Sequence, residues 1–174
     1  KKEGLDSLAS QARHLKQNLE YHLLGNHIFE NAKALIFCGL YFQGVEADEW
    51  YQTGKKILKH ELPEQVLADG GNFELSPMYH SIFLEGLLDL INLHQVYARS
   101  IPLNIDDIVI NMLSWLEHMS HPDEKISFFN DSTLEIAPSL KELCEYAKNL
   151  DILYKNNIVN GLYHLKESGY IRFS

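Results

Sequence analysis

Only two of the 174 residues are cysteine. Cys38 and Cys144 both sit among apolar positions of helical character, so they read as buried free thiols rather than as a disulfide framework. Neither C-x-x-C nor H-E-x-x-H occurs, which removes the common helical zinc patterns, and no metal site is expected. No apolar run approaches the ~20 residues that cross a bilayer, so no membrane span is expected either. The opening residues Lys1-Lys2-Glu3-Gly4 lack an initiator methionine and the apolar stretch of a signal peptide, and read as the start of a mature or truncated piece. Acidic residues outnumber basic ones 24 to 15, for a net charge of −9. No basic stripe is visible, and phosphate backbones need one, so nucleic acid is not the expected partner. An acidic polysaccharide is not disfavoured in the same way, because a local cluster of His, Lys, Arg and backbone donors in a cleft suffices for it.

What the chain does have is helical periodicity. An apolar fraction of 45% suits one ordinary domain with a real core. Leu5, Leu8, Ala12, Leu15, Leu19, His22 and Leu23 recur at three and four, which predicts one amphipathic helix that Gly25 interrupts. A second helix is expected from Ile28 to Phe42, apolar nearly all round and stopped by Gly44. A third is expected from Ala47 to Leu62, ended by Pro63. Ser76-Pro77 is a start signal, with Ser as N-cap and Pro at the first helical position, for a helix running to about Arg99. Asn104 is read as the cap of the next helix, and Ser139 to Asn149 as the last. From Gly161 onward Tyr163, Leu165, Gly169, Tyr170 and Phe173 read as short strands. Antiparallel helices with short connections fit a plain bundle or an arc of an α/α toroid, and periodicity does not separate the two.

The chemistry concentrates in two places. Tyr79 falls in the first turn of the helix opened by Ser76-Pro77, where unpaired backbone N–H groups favour a phenolate or a nearby carboxylate. A free phenol titrates near 10, so a basic tyrosine needs positive neighbours, for which His27 and His80 are the candidates. The structural alternative is that Tyr79 simply packs. Asn26 follows a glycine and precedes an apolar helix, so its structural role is N-cap; its functional role is to hold a substrate carboxylate together with His27. Asp69 and Glu74 lie in a turn-rich Asp-Gly-Gly context that points to backbone bracing over an acid pair. Asn130-Asp131 reads as a side-chain turn, and the other histidines as surface or packing residues.

Gly25-Asn26-His27, Ala34-Leu35 and Asp69-Gly-Gly-x-Phe-Glu-x-Ser-Pro-x-Tyr-His80 at this spacing resemble the helical domain of the heparinase II/III and alginate-lyase-like family of polysaccharide lyases. The resemblance runs from about Leu19 to Leu93 and returns at Phe129-Asn-Asp-Ser132 and Glu167-Ser-Gly-Tyr-Ile-Arg172. It implies an all-α fold, an incomplete α/α toroid of antiparallel helical hairpins over residues 1–160. A short β-like tail, 161–174, would lead into a β-sandwich domain that is missing here. It implies β-elimination: a proton leaves C5 of a uronic acid and the 4-linked sugar departs, with no redox cofactor. On this resemblance Tyr79, Asn26 and His27 match the catalytic positions, with His80 and Glu74 as substrate contacts. The Glu74-Leu75-Ser76-Pro77-Met78 context departs from the characterised heparin and alginate lyases, which leaves the polysaccharide open. The family's further catalytic histidine lies in the following domain, with no counterpart here.

The leading expectation is therefore part of the catalytic domain of a uronate-polysaccharide lyase, inactive as this piece, with an acidic polysaccharide as partner and a periplasmic or secreted setting. The runner-up is a non-catalytic helical carbohydrate-binding or interaction module on the same fold. A toroid cut short is also expected to self-associate through apolar surface that its missing neighbours would cover.

Overall fold

The computed structural model describes residues 2–23, 25–99, 105–155, 158 and 160–173. Among them run six helices and one hairpin: α1 (Lys2–Gln17), α2 (His27–Tyr41), α3 (Val45–Gln65), α4 (Pro77–Val96), α5 (Ile105–His118), α6 (Leu140–Asn149), β1 (Leu162–Leu165) and β2 (Tyr170–Phe173). The chain forms two compact units, one of Lys1–Leu62 with Leu93–Pro102 and one of Pro63–Asn92 with Leu103–Ser174.

In the first unit, α1 buries only Ala12, which joins Leu35, Ala47 and Trp50 in a small core edged by Ala9, Leu15 and Leu19. The helix stops at Gln17 and does not carry on to Leu23 as its spacing predicts. Asn18 closes it: its backbone N–H donates to the Leu15 carbonyl at 3.0 Å and its side-chain amide to the His14 carbonyl at 2.8 Å, so one of the last carbonyls is taken by a side chain that competes with the helix. Leu19 packs on the core from outside the helix. Apolar spacing alone cannot report such a stop.

α2 is buried on most sides, through Ile28, Phe29, Ala32, Leu35, Ile36, Gly39 and Leu40. It meets α3 at two glycines. A Cβ on Gly39 would lie 2.6 Å from the Tyr51 backbone N, and one on Gly54 would lie 2.6 Å from the Ala32 carbonyl. Hydrogen in place of a side chain lets the two backbones approach at both points. α3 begins after Gly44, whose φ is +106° and whose carbonyl accepts from the Asp48 N–H at 3.1 Å. Pro63 lies inside α3 where a stop was expected. Only Glu64 and Gln65 follow it, so its missing N–H removes a single ladder bond near an end that frays in any case.

In the second unit, α4 contributes fully buried Phe83, Leu84, Leu87, Leu88 and Leu90, and α5 contributes Val109, Met112, Leu113, Trp115 and Leu116. The α4 helix ends at Val96, three residues short of the expected Arg99. The expected cap of α5, Asn104, lies outside the described residues. α6 opens on a capping box in which Ser139 accepts from the Glu142 N–H and Glu142 accepts from the Ser139 N–H, a reciprocal pairing that satisfies two end donors. The C-terminal strands form an antiparallel hairpin pairing Leu162 with Phe173 and Leu165 with Tyr170. One face, with Leu165 and Tyr170, packs on Trp115 of α5 and on Met119 just beyond its end. Arg172 donates from Nη1 to the carbonyls of Glu117, His118 and Ser120 at 2.8, 3.0 and 2.8 Å, so a cation covers the end of α5, where the helix dipole is negative. Both cysteines are free and only half-buried, less enclosed than their apolar setting predicts.

Candidate active site

The first group of candidate residues stands at the start of α2. Asn26 occupies the N-cap position with φ −77° and ψ −2°, and its side chain makes no capping hydrogen bond. A capping side chain needs extended backbone at that position to fold back onto the first turn; helical dihedrals turn it away. The Asn26 carbonyl accepts from the Glu30 N–H at 3.0 Å, while its amide has no hydrogen-bond partner among the described residues. His27, the first residue of α2, is exposed, with Nδ1 at 3.8 Å from Glu20 Oε2. That carboxylate is fixed in turn. Buried Asn31 donates to it at 2.8 Å and accepts the Glu20 N–H at 3.0 Å, which ties the segment ahead of α2 to the helix one turn in.

The second group stands at the start of α4. Ser76 is its N-cap: Oγ accepts from the Tyr79 N–H at 3.2 Å and the Ser76 carbonyl accepts from the His80 N–H at 2.8 Å. Tyr79 is partly exposed, and no hydrogen bond to its hydroxyl occurs among the described residues. The turn that precedes it is held from several sides. Asp69 Oδ1 accepts from the Gly71 N–H at 3.1 Å, and Asn72 Oδ1 accepts from the Glu74 N–H at 3.1 Å. Gly71 carries no Cβ because one would meet the Trp115 indole nitrogen at 2.7 Å. Leu75 takes a left-handed φ of +56°, and its carbonyl accepts from Asn130 Nδ2 at 2.8 Å and from the Tyr170 hydroxyl at 2.9 Å. Ser132 Oγ lies 3.0 Å from Ser76 Oγ and accepts from the Met78 N–H at 3.3 Å.

His80 is enclosed within this turn, with 0% of its surface exposed. Nδ1 accepts from the Asn72 N–H at 3.1 Å and Nε2 faces the Met112 carbonyl at 3.0 Å. A backbone N–H can only donate and a carbonyl can only accept, so the ring is neutral with its proton on Nε2. The ring also stacks on Trp115 at 4.5 Å between centroids. Burial drives its pKa down to about 3, against smaller upward pulls from the Met112 carbonyl and Asp69. The expectation that His80 contacts substrate is corrected here: both nitrogens are spent and no face of the ring is open. Its neutral form also supplies no positive charge to lower the Tyr79 phenol. Glu74 is half-buried on the same turn, with its backbone carbonyl accepting from Asn130 at 3.3 Å.

The family described as Heparinase II/III N-terminus matches residues 3–158. The chain belongs to this family. Among similar heparinase relatives, a heparin-sulfate lyase of Pedobacter heparinus is 34% identical over 137 residues, covering 75% of this chain and 20% of the relative. A heparin-sulfate lyase of Bacteroides stercoris is 29% identical over 140 residues, covering 79% and 21%. The crystal structure of a mutant heparan sulfate lyase from Pedobacter heparinus matches 98% of this chain and 29% of its own, with a TM-score of 0.73 and 25% identity. The fold class is thus that of the helical toroid region of the heparinases, all-α ahead of a short hairpin. The chain spans about a fifth of the length of the curated relatives it matches.

Asn26 and His27 belong to the first unit of this heparinase-family chain; Glu74, Tyr79 and His80 belong to the second. Sequence reasoning missed the residues that hold the second group in place, Ser132, Ser168 and Tyr170. The signal was present. All three fall in the two short stretches where the family resemblance returns, Phe129–Ser132 and Glu167–Arg172. Glu20 and Asn31, which brace the first group, also fall inside the resembling stretch from Leu19 to Leu93, and were missed as well.

Proposed function

We propose that this chain forms part of the catalytic region of a polysaccharide lyase that cleaves a uronic-acid-containing polysaccharide by β-elimination. Tyr79 moves the C5 proton and the departing oxygen's proton. Asn26, with His27, binds the uronate carboxylate and stabilises the charge that develops as C5 is deprotonated. Glu74 is a substrate contact on the same turn, and His80 fixes that turn without touching sugar. The reading takes the residues from about 161 onward as the passage into a β-rich domain.

The observation that carries it is the state of two side chains. Asn26 stands where an asparagine would ordinarily cap, and withholds its amide from the helix. Tyr79 stands in the first turn of α4, with its hydroxyl unclaimed among the described residues, on a turn otherwise dense with hydrogen bonds. Family membership and the heparin-sulfate lyase relatives support the same chemistry.

The test uses the full-length protein and a panel of uronate polymers, read by the ultraviolet absorbance of the unsaturated product. Asn26→Ala should lower kcat on the order of 10²-fold by removing an oxyanion-type donor, with its thermal midpoint unchanged because no cap is lost. Absence of unsaturated product from every polymer would refute the lyase reading. A collapse of stability in Asn26→Ala would refute the role given to Asn26.

A further inference from the structure

The turn between β1 and β2 reaches back onto the turn that carries Tyr79. Ser168 lies there, buried, and its N–H and Oγ both donate to Asp69 Oδ2 at 2.8 Å. Its Oγ also accepts from Trp115 Nε1 at 2.9 Å. The direction of this chain is fixed by chemistry: an indole N–H only donates and a carboxylate only accepts, so the hydroxyl proton must point to Asp69. The other oxygen of Asp69 holds the Gly71 N–H. Two residues beyond Ser168, the Tyr170 hydroxyl donates to the Leu75 carbonyl, directly ahead of the Ser76 cap. The indole that donates to Ser168 also stacks on His80, whose Nδ1 holds the Asn72 N–H. The hairpin thus grips the Asp69–Ser76 turn at both ends.

We propose that the β1–β2 hairpin is a positioning latch for Tyr79: Ser168 through Asp69, and Tyr170 through Leu75, set the placement of the Asp69–Ser76 turn and so of the phenol. Neither residue touches substrate. The proposal rests on the lyase reading for the role of Tyr79, and on hydrogen-bond geometry alone for the latch. A catalytic group must be held within a fraction of an ångström of its working position, and a shift of about 1 Å can cost 10²-fold in rate. A loosened latch therefore appears in kcat and leaves KM nearly unchanged.

The test compares Ser168→Ala, Ser168→Thr and Tyr170→Phe in the full-length protein, with two readouts: turnover of a uronate polymer, and hydrogen exchange at the Gly71 and Asn72 amides. Ser168→Ala should lower kcat about tenfold or more, with KM within about twofold, and should speed exchange at both amides. Ser168→Thr keeps the hydroxyl and should restore kcat and protection. Tyr170→Phe removes one hydroxyl at the other grip and should lower kcat severalfold, which keeps the test open if Ser168→Ala does not fold. Unchanged kcat and unchanged exchange in Ser168→Ala and Tyr170→Phe, in a protein that Tyr79→Phe inactivates, would overturn the latch and leave the lyase reading intact. If the wild type forms no unsaturated product, the lyase reading falls, and exchange alone decides the latch: faster exchange in Ser168→Ala upholds it and unchanged exchange overturns it.

Discussion

At the scale of single residues, what the sequence revealed depended on how far away each residue's partners lie. Ser76 was legible as a cap because its partners, the N–H groups of Tyr79 and His80, are three and four residues on. Asp69 was legible as a brace for the same reason, through Gly71. His80 was not, because what encloses it comes from α5: the Met112 carbonyl and the Trp115 ring. Its buried, neutral ring has a measurable consequence. The folded pKa of about 3 lies below the unfolded value near 6.5, so only the unfolded chain takes up this proton as pH falls between those values. Stability is therefore fully present above about 6.5 and declines below it, by ~1.4 kcal/mol per pH unit, or about 2 kcal/mol from pH 7 to pH 5 for this ring alone. Urea unfolding of the wild type and of His80→Gln at pH 5, 6 and 7 checks this. The wild type should lose stability more steeply, by close to one proton's slope; equal slopes would mean that His80 is not buried neutral.

At the scale of elements, periodicity placed every described helix, and the errors fell at their ends. α1 stops early because the Asn18 amide takes a carbonyl that continued helix would have used, and α3 runs through Pro63 because only Glu64 and Gln65 follow. Strand alternation after Gly161 was legible, and the hairpin shows why it matters. Its two faces differ in kind. Leu165 and Tyr170 pack on α5, whereas Leu162, Ile171 and Phe173 leave 69%, 65% and 85% of their surface exposed. An open apolar strand face of this kind invites pairing with another copy. This chain is therefore expected to associate with rising concentration in sedimentation experiments, and Phe173→Ser to weaken that association. A chain that stays monomeric at all concentrations would show that the face is inert.

At the scale of the whole molecule, the sequence pattern offered a bundle or a toroid without choosing, since the choice depends on how successive hairpins are arranged and each hairpin has the same 3.6-residue signature in either case. Family resemblance made that choice, and the structural neighbours bear it out. The net charge of −9 gives no hint of an anionic partner, because the groups proposed to meet uronate are an amide and an imidazole at one helix start and a phenol at another. Tyr79 is proposed to move the proton. The most direct test of this role is Tyr79→Phe in the full-length enzyme, assayed by ultraviolet absorbance of the unsaturated product and checked for native folding by circular dichroism. The expected result is a folded protein whose kcat falls on the order of 10²-fold or more. A folded Tyr79→Phe enzyme that forms product at the wild-type rate would contradict this role.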